Sequence, residues 1–222
     1  MSLSQWQCPL LPLFATCSPY AYHALVIPSP VTLETIAASW DAIRTRYGAY
    51  ALAMPGVPAF HCQPQLCDAH CCRAFTVNLG EAEVRRMHTT SGLAPSRFLE
   101  SENGEPLALP LAQPYILARR DNHCALLDDS LGCGQYAGRP NACRLYPHFL
   151  LFFDRALQRP VHGDIGAIRL SIARLLAGQP FDVLVPMLVR HVECPGFTGE
   201  PMTPEQWIAL VAETFELQFP SN

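Results

Sequence analysis

Apolar residues recur three and four apart at Leu33, Ile36, Trp40, Ile43 and Tyr47, the spacing of one helical face. Thr32 can cap this helix and Gly48 can end it, which gives a helical arm over residues 31–48. A second periodic run starts behind Asp164 and reaches Ala177, with Ile165, Ile168, Ile172, Leu175 and Leu176 on one face and Gly178 behind it. The clearest helix start is Thr203-Pro204-Glu205-Gln206, a capping box with proline at the first helical position. It predicts a C-terminal helix over residues 203–217, carrying Trp207, Leu210, Val211 and Phe215.

Between these helices the periods shorten. Phe75 to Leu79 alternates like a short strand, and Glu81 to His88 reads as about two helical turns. Tyr115–Ala118 and Phe149–Phe153 are apolar runs too short for helices, so they read as strands. Ala51 to Phe60 holds two prolines and a glycine and reads as a loop, as do residues 100–114 with their Gly, Pro and acids. The expected class is α+β, helix-dominated, with a few short strands around a cysteine-rich centre. The chain is expected to form a single domain, 1–222, whose cysteine core runs from about 60 to 197.

Composition narrows the function classes. Fifteen cationic residues stand against nineteen acidic ones, a formal net charge of −4, and every cation is arginine. No basic stripe exists to track a nucleic-acid backbone, so no nucleic-acid partner is expected. The N-terminal thirty residues are apolar but broken by Pro9 and Pro12, and the first cation is Arg44. They fit neither a signal peptide nor a membrane span. The expected compartment is therefore the cytoplasm, without a membrane partner; a protein partner is left open. In that compartment clustered cysteines read as metal-binding or catalytic before they read as disulfides.

Eight of the ten cysteines fall in three blocks: Cys62-x4-Cys67-x3-Cys71-Cys72, then Cys124-x8-Cys133-x9-Cys143, then Cys194. A packed structural cysteine behaves as an isolated small hydrophobe, with no reason to recur beside Gly, Pro, Asp and Arg. Gly132 and Gly134 flank Cys133, and Arg73, Arg139 and Arg144 lie within a few residues of cysteines. Four thiolates around Zn²⁺ or a [4Fe–4S]²⁺ core leave a net negative charge that such cations would offset. No C-x2-C pair of the usual zinc type is present, and the x4 opening resembles a plant-type ferredoxin without matching its next interval. The vicinal pair Cys71-Cys72 suits two irons of one cluster, or two centres, better than one ion. An iron–sulfur cluster is thus the first reading and zinc the second.

Other readings stay open on the residues alone. Cys71-Cys72 or another pair could cycle through a disulfide as a redox switch, and structural disulfides are a further alternative. His61, His70, His123 and His191 lie near cysteines but are surplus as ligands while thiolates abound. Cys8 and Cys17 stand apart and read as ordinary thiols. Asp128 and Asp129 read as turn residues. No phosphate loop, dinucleotide fingerprint, nucleophile elbow or zinc-protease motif is present.

Several pieces in order resemble the YkgJ-type cysteine-cluster family, described as chelating zinc or iron. They are Cys67, Cys71-Cys72-Arg73, Val77-x-Leu79 with Glu81 and Glu83, Cys124-Ala-Leu-Leu, Gly132-Cys133-x2-Tyr136, Arg139-Pro140-x2-Cys143-Arg144-x-Tyr146-Pro147, and Cys194-Pro195-Gly196. The resemblance runs from about Phe60 to Phe197, and it departs from the family in the longer gap between Cys62 and Cys67. The expected metal ligands are Cys62, Cys67, Cys71, Cys72, Cys124, Cys133, Cys143 and Cys194, of which the resemblance carries all but Cys62, the residue before that longer gap. The same resemblance further implies that Arg139 and Pro140 shape the turn presenting Cys143, with Arg73 and Arg144 near the centre and Tyr146-Pro147 packed against it. The family is similar to the cysteine-rich part of flagellin lysine-N-methylases, which implies a lysine methylase using S-adenosylmethionine as an alternative activity.

Overall fold

A computed structural model of the chain describes residues 25–220. Cys8 and Cys17 lie outside the described residues. The first half runs α1 (Pro30–Asp41), β1 (Tyr50–Leu52), β2 (Pro58–Phe60), α2 (His70–Ala74), β3 (Asn78–Leu79) and α3 (Glu81–Ser91). The short strands β4 (Ser101–Glu102), β5 (Glu105–Pro106), β6 (Tyr115–Ile116), β7 (Arg119–Arg120) and β8 (His123–Cys124) follow. The second half holds α4 (Asn141–Leu145), β9 (His148–Asp154), β10 (Arg159–Val161), α5 (Ile165–Leu176), β11 (Leu184–His191), β12 (Phe197–Pro201) and α6 (Pro204–Gln218).

Helix does not dominate: about 37% of residues are helical and 23% are strand, and the strands spread over five sheets among the described residues. The expectation of a helix-dominated chain is corrected on that finding. Two causes explain the difference. Most of the strands are two or three residues long, too short for a two-residue alternation to register. The longest, β11, contains Pro186, which argues against a central strand. Pro186 is tolerated because β1 pairs only with Val189 to His191, so β11 is an edge on that side at the proline.

The main sheet has the order β1-β11-β9-β10, antiparallel throughout. Leu150 to Phe153 and Val185 to Val189 include consecutive buried residues, the mark of strands covered on both faces. Helices α1, α5 and α6 pack against this sheet. Ile36, Trp40, Ile172, Leu188, Trp207 and Phe215 join one large core, and the Trp207 indole donates to the Ala53 carbonyl at 2.7 Å. A second, separate core is small: Leu79, Met87, Phe98, Leu99 and Leu117. It lies beneath α3 and the β3–β6 pair, beside the cysteine-bearing loops.

The long helices begin and end where their capping residues dictate. Asp164 accepts from the Gly166 amide and Gly178 adopts φ +66° behind α5. Thr203 and Gln206 close the capping box of α6. Helix α1 starts earlier than its periodicity suggests, because Ser29 rather than Thr32 is the cap, and it gives way to a 3-10 turn at Arg44–Arg46. The region 51–60 is not a loop throughout: β1 and β2 occupy its two ends, and β2 pairs with β12. Residues 100–114 contain the β4–β5 hairpin, with Asn103 and Gly104 both at positive φ in its turn. Among the described residues no helix is long and apolar enough to cross a membrane.

Candidate metal centre

Each thiol is presented by a recognisable local device. The β2–β12 pairing sets Phe60 opposite Phe197, and the His61 amide donates to the Gly196 carbonyl at 2.7 Å. Cys62 thereby comes beside Cys194, 132 positions away in the chain. Gly196 permits this approach: a Cβ there would stand 2.6 Å from the His61 carbonyl oxygen and from the Phe60 ring. Downstream, Asp68 and Ala69 both take the left-handed conformation, φ 49° and 51°. The chain turns tightly there before α2, and Cys67 and Cys71 line the same cleft. The Cys67 thiol donates to the Pro64 carbonyl.

Cys124 sits on a hairpin whose turn residues Asp121 and Asn122 both have positive φ, the requirement of a two-residue type I′ turn. Arg119 ties that hairpin to α2: its guanidinium donates to the carbonyls of Phe75, at 2.7 Å, Arg73 and Asn122. A bridge between Leu127 and Cys133, with the Gly134 amide on the Leu126 carbonyl, folds Cys133 back toward Cys124. Asp128 fastens the intervening loop, accepting from Ser130 and from the Gly132 amide. It is a turn residue, as its position suggests.

Cys143 lies on α4, which is held against α3 by Glu83. One carboxylate oxygen of Glu83 accepts from the Asn141 amide at 2.7 Å and the other from the Gly80 amide at 2.9 Å. Arg86 adds bonds to the Arg139 carbonyl and the Asn141 side chain. Gly138 packs so closely on α3 that a Cβ would collide with the Thr90 hydroxyl. These residues position the Cys143 helix, and neither Arg86 nor Arg119 carries a metal-related signal in its sequence surroundings.

All eight cysteines of the three blocks are free thiols. Cys62, Cys67, Cys71, Cys143 and Cys194 line one small cleft, with Arg139 and Tyr146. Burial raises the pKa of Cys62, Cys124, Cys133 and Cys194, and pushes that of Cys143 up to about 12. Cys71 goes the other way, down to about 6, because the Cys72 thiol hydrogen-bonds its thiolate; Cys72 is raised in exchange. Donors to sulfur are already in place: the Leu126 amide reaches Cys124 Sγ at 3.5 Å, and the Gly196 amide and Tyr146 hydroxyl serve Cys194.

The three arginines selected from the sequence have different fates. Arg73 folds onto Asp68, with Nε 3.2 Å from its carboxylate. Arg144 reaches Glu213 at 3.5 Å and links α4 to α6. Arg139 alone turns to the thiols. Its charge bears on Cys62, Cys71, Cys133 and Cys143, its guanidinium stacks 3.8 Å from the Tyr136 ring centroid, and its Nε is buried without an acceptor. Tyr146 packs against Phe75 and His191 beside the cleft. Of the histidines, His70 pairs with Glu193 at 3.9 Å and His123 bonds the Cys124 carbonyl.

Residues 61–162 match the model of the CxxCxxCC family, described as "Putative zinc- or iron-chelating domain". This segment belongs to that cysteine-cluster family. The family's opening run stands here as Cys62-x4-Cys67-x3-Cys71-Cys72, with both gaps lengthened, and the match ends before Cys194. No curated protein and no solved structure matches the chain. The family's description assigns chelation of zinc or iron to this segment.

The donor set fits such a centre. Soft thiols are the ligands that select zinc and iron–sulfur clusters, and Arg139 offers an unanswered N–H among them. As placed, no three His, Cys, Asp or Glu side chains among the described residues surround one point closely enough to hold an ion. Burial favours the protonated form at Cys62, Cys124, Cys133, Cys143 and Cys194, whereas Cys71 already leans to the thiolate. Loading must deprotonate the protonated thiols and draw the set inward.

Proposed function

We propose that this chain is a metal-centre protein whose clustered thiols hold an iron–sulfur cluster of the [4Fe–4S] type, in a structural, carrier or electron-transfer role. One observation carries the reading. Arg139 keeps a buried Nε without an acceptor, and its charge acts on thiols of both of the first two blocks, Cys62 and Cys71 in one and Cys133 and Cys143 in the other. Burying an unanswered N–H costs about 1–3 kcal/mol, and a cluster sulfur or thiolate would answer it. Hydrogen bonds to the sulfurs and nearby cations are also what set the potential of such a centre. The lack of C-x2-C pairs weighs in the same direction. When bound, the cluster supplies one-electron chemistry. The protein's own part is to present thiolates, offset their charge through Arg139, and shelter them behind Tyr146 and Phe60. This reading places the chain in a compartment that keeps thiols reduced, the cytoplasm.

Zinc is the second reading, favoured by the number of thiols: four suffice to close a tetrahedron around one ion. Protein purified without oxygen is expected to be brown and to carry iron with acid-labile sulfide. Colourless protein with stoichiometric zinc would replace the first reading by the second. Protein free of either metal after reconstitution would overturn both.

A further inference from the structure

The eight thiols are not arranged as one group. Cys62, Cys67, Cys71 and Cys194 all line the small cleft, whereas Cys72, Cys124 and Cys133 do not. The cleft set is assembled by the β2–β12 pairing, which joins the Cys62 and Cys194 segments, and by the left-handed turn at Asp68-Ala69, which returns Cys67 toward Cys71. The other set is assembled by different devices: the β7–β8 hairpin, the Leu127–Cys133 bridge, and the docking of α4 onto α3 through Glu83.

Mutual charge follows the same division except at Cys71, which acts on Cys133 and Cys143 as well as on Cys62 and Cys194. Among the strongest influences on Cys62 are Cys71, Cys67 and Cys194, and those on Cys194 include Cys67 and Cys71. Cys72 is acted on by Cys124 and Cys133 besides its neighbour Cys71. Cys143 is acted on by Cys124, Cys133 and Cys71. Neither Cys62, Cys67 nor Cys194 ranks among the leading charges at Cys72, Cys124, Cys133 or Cys143. Cys143 touches both sides, since it also forms part of the cleft wall. The boundary falls inside α2. Successive residues of a helix point about 100° apart at 3.6 residues per turn, so Cys71 and Cys72 can serve different sides while their sulfurs remain adjacent.

We propose that the chain holds two neighbouring four-thiolate centres, one on Cys62, Cys67, Cys71 and Cys194 and the other on Cys72, Cys124, Cys133 and Cys143, with Arg139 between them. This rests on the metal-centre reading above and adds its stoichiometry and its division of ligands. It also explains the vicinal cysteines and the need for Cys194, which lies beyond the segment that the family model matches. Each centre draws its ligands from at least two distant parts of the chain.

The test is native mass spectrometry of the reduced full chain after reconstitution with Zn²⁺ alone. Two zinc ions per chain are expected for the wild type. Cys194→Ser and Cys133→Ser should each retain one ion, and the double variant should retain none. A wild type that saturates at one ion, lost from either single variant, overturns the two-centre proposal while leaving the metal-centre reading intact. A wild type that takes up neither zinc nor, in a parallel anaerobic reconstitution, iron and sulfide overturns both. The wild-type count decides between these outcomes even if a serine variant fails to fold.

Discussion

Arg139 and Arg144 stand five positions apart, yet their surroundings assign them different work. Arg144 makes a partly exposed ion pair with Glu213, the kind of contact worth about 1 kcal/mol or less. Arg144→Ala is expected to lower thermal stability slightly and to leave metal content unchanged. Arg139→Ala removes a half-buried cation that acts on four thiols and stacks on Tyr136. Groups that support a metal's ligands typically carry about 10–100-fold in affinity, so a competition assay with a chelator should show a loss of that order. Equal effects of the two substitutions on metal affinity would remove Arg139 from the centre. The thiols add a pH signature in the metal-free protein. Cys71 is lowered from 9.0 to about 6 by the Cys72 hydrogen bond. Between those values the unfolded chain holds a proton that the folded one has released, so this pair makes stability rise with pH. Cys143 is raised by burial to about 12, and there the folded chain keeps the proton, so stability falls from about pH 9 upward. Alkylation at neutral pH should accordingly mark Cys71 before Cys62, Cys72, Cys124, Cys133, Cys143 and Cys194, and a bound metal should suppress it. Uniform labelling of all eight would show that the vicinal hydrogen bond does not form.

At the scale of elements, the site depends on the two-stranded pairing of β2 with β12 and on the glycine that lets them meet. Gly196→Ala would force a methyl against the His61 carbonyl and the Phe60 ring, an overpacking that costs about 1–3 kcal/mol. The expected result is displacement of Cys194 from Cys62, seen as weaker metal binding with the main sheet still folded by circular dichroism. An unchanged affinity would mean that this pairing does not position the ligands. The sequence made the capped helices legible, because Asp164 with Gly178 and Thr203 with Gln206 are local signals that tertiary packing had no reason to override. It left β7, β8 and β11 unread: two-residue strands carry no period, and Pro186 hides a strand that is stable only because its neighbour β1 stops short. The cysteines were legible as a set through their density. Their division was not, since it depends on a turn at Asp68-Ala69 and a bridge at Leu127–Cys133. Nearness in sequence to a cysteine also selected Arg73, which folds back on Asp68, and passed over Arg119, which anchors the Cys124 hairpin from the opposite strand.

For the molecule as a whole, the apolar residues divide unequally. The sheet β1-β11-β9-β10 and helices α1, α5 and α6 share a large core with Trp207, Phe215, Ile36 and Leu188 fully buried. The part that carries the Cys124 hairpin rests on five buried residues, Leu79, Met87, Phe98, Leu99 and Leu117. Apolar burial contributes about 25 cal/mol per Å², and so small a core is poorly placed to offset the entropy of ordering the loops around it, about 1–2 kcal/mol per residue in the backbone alone. Small domains that face this deficit are commonly held by metal ions, whose binding energy becomes folding energy. The metal is therefore expected to matter unevenly. After complete chelation under reducing conditions, amide hydrogen exchange should accelerate in β3, α3 and β6 and in the Cys124 hairpin, while β9 and β11 stay protected. The melting curve should separate into an early transition, abolished by restoring the metal, and a later one that the metal does not move. A single transition with uniform loss of protection would mean that the thiol centre is part of the main core's cooperative unit, and a profile identical with and without metal would mean that the second core stands by its own packing.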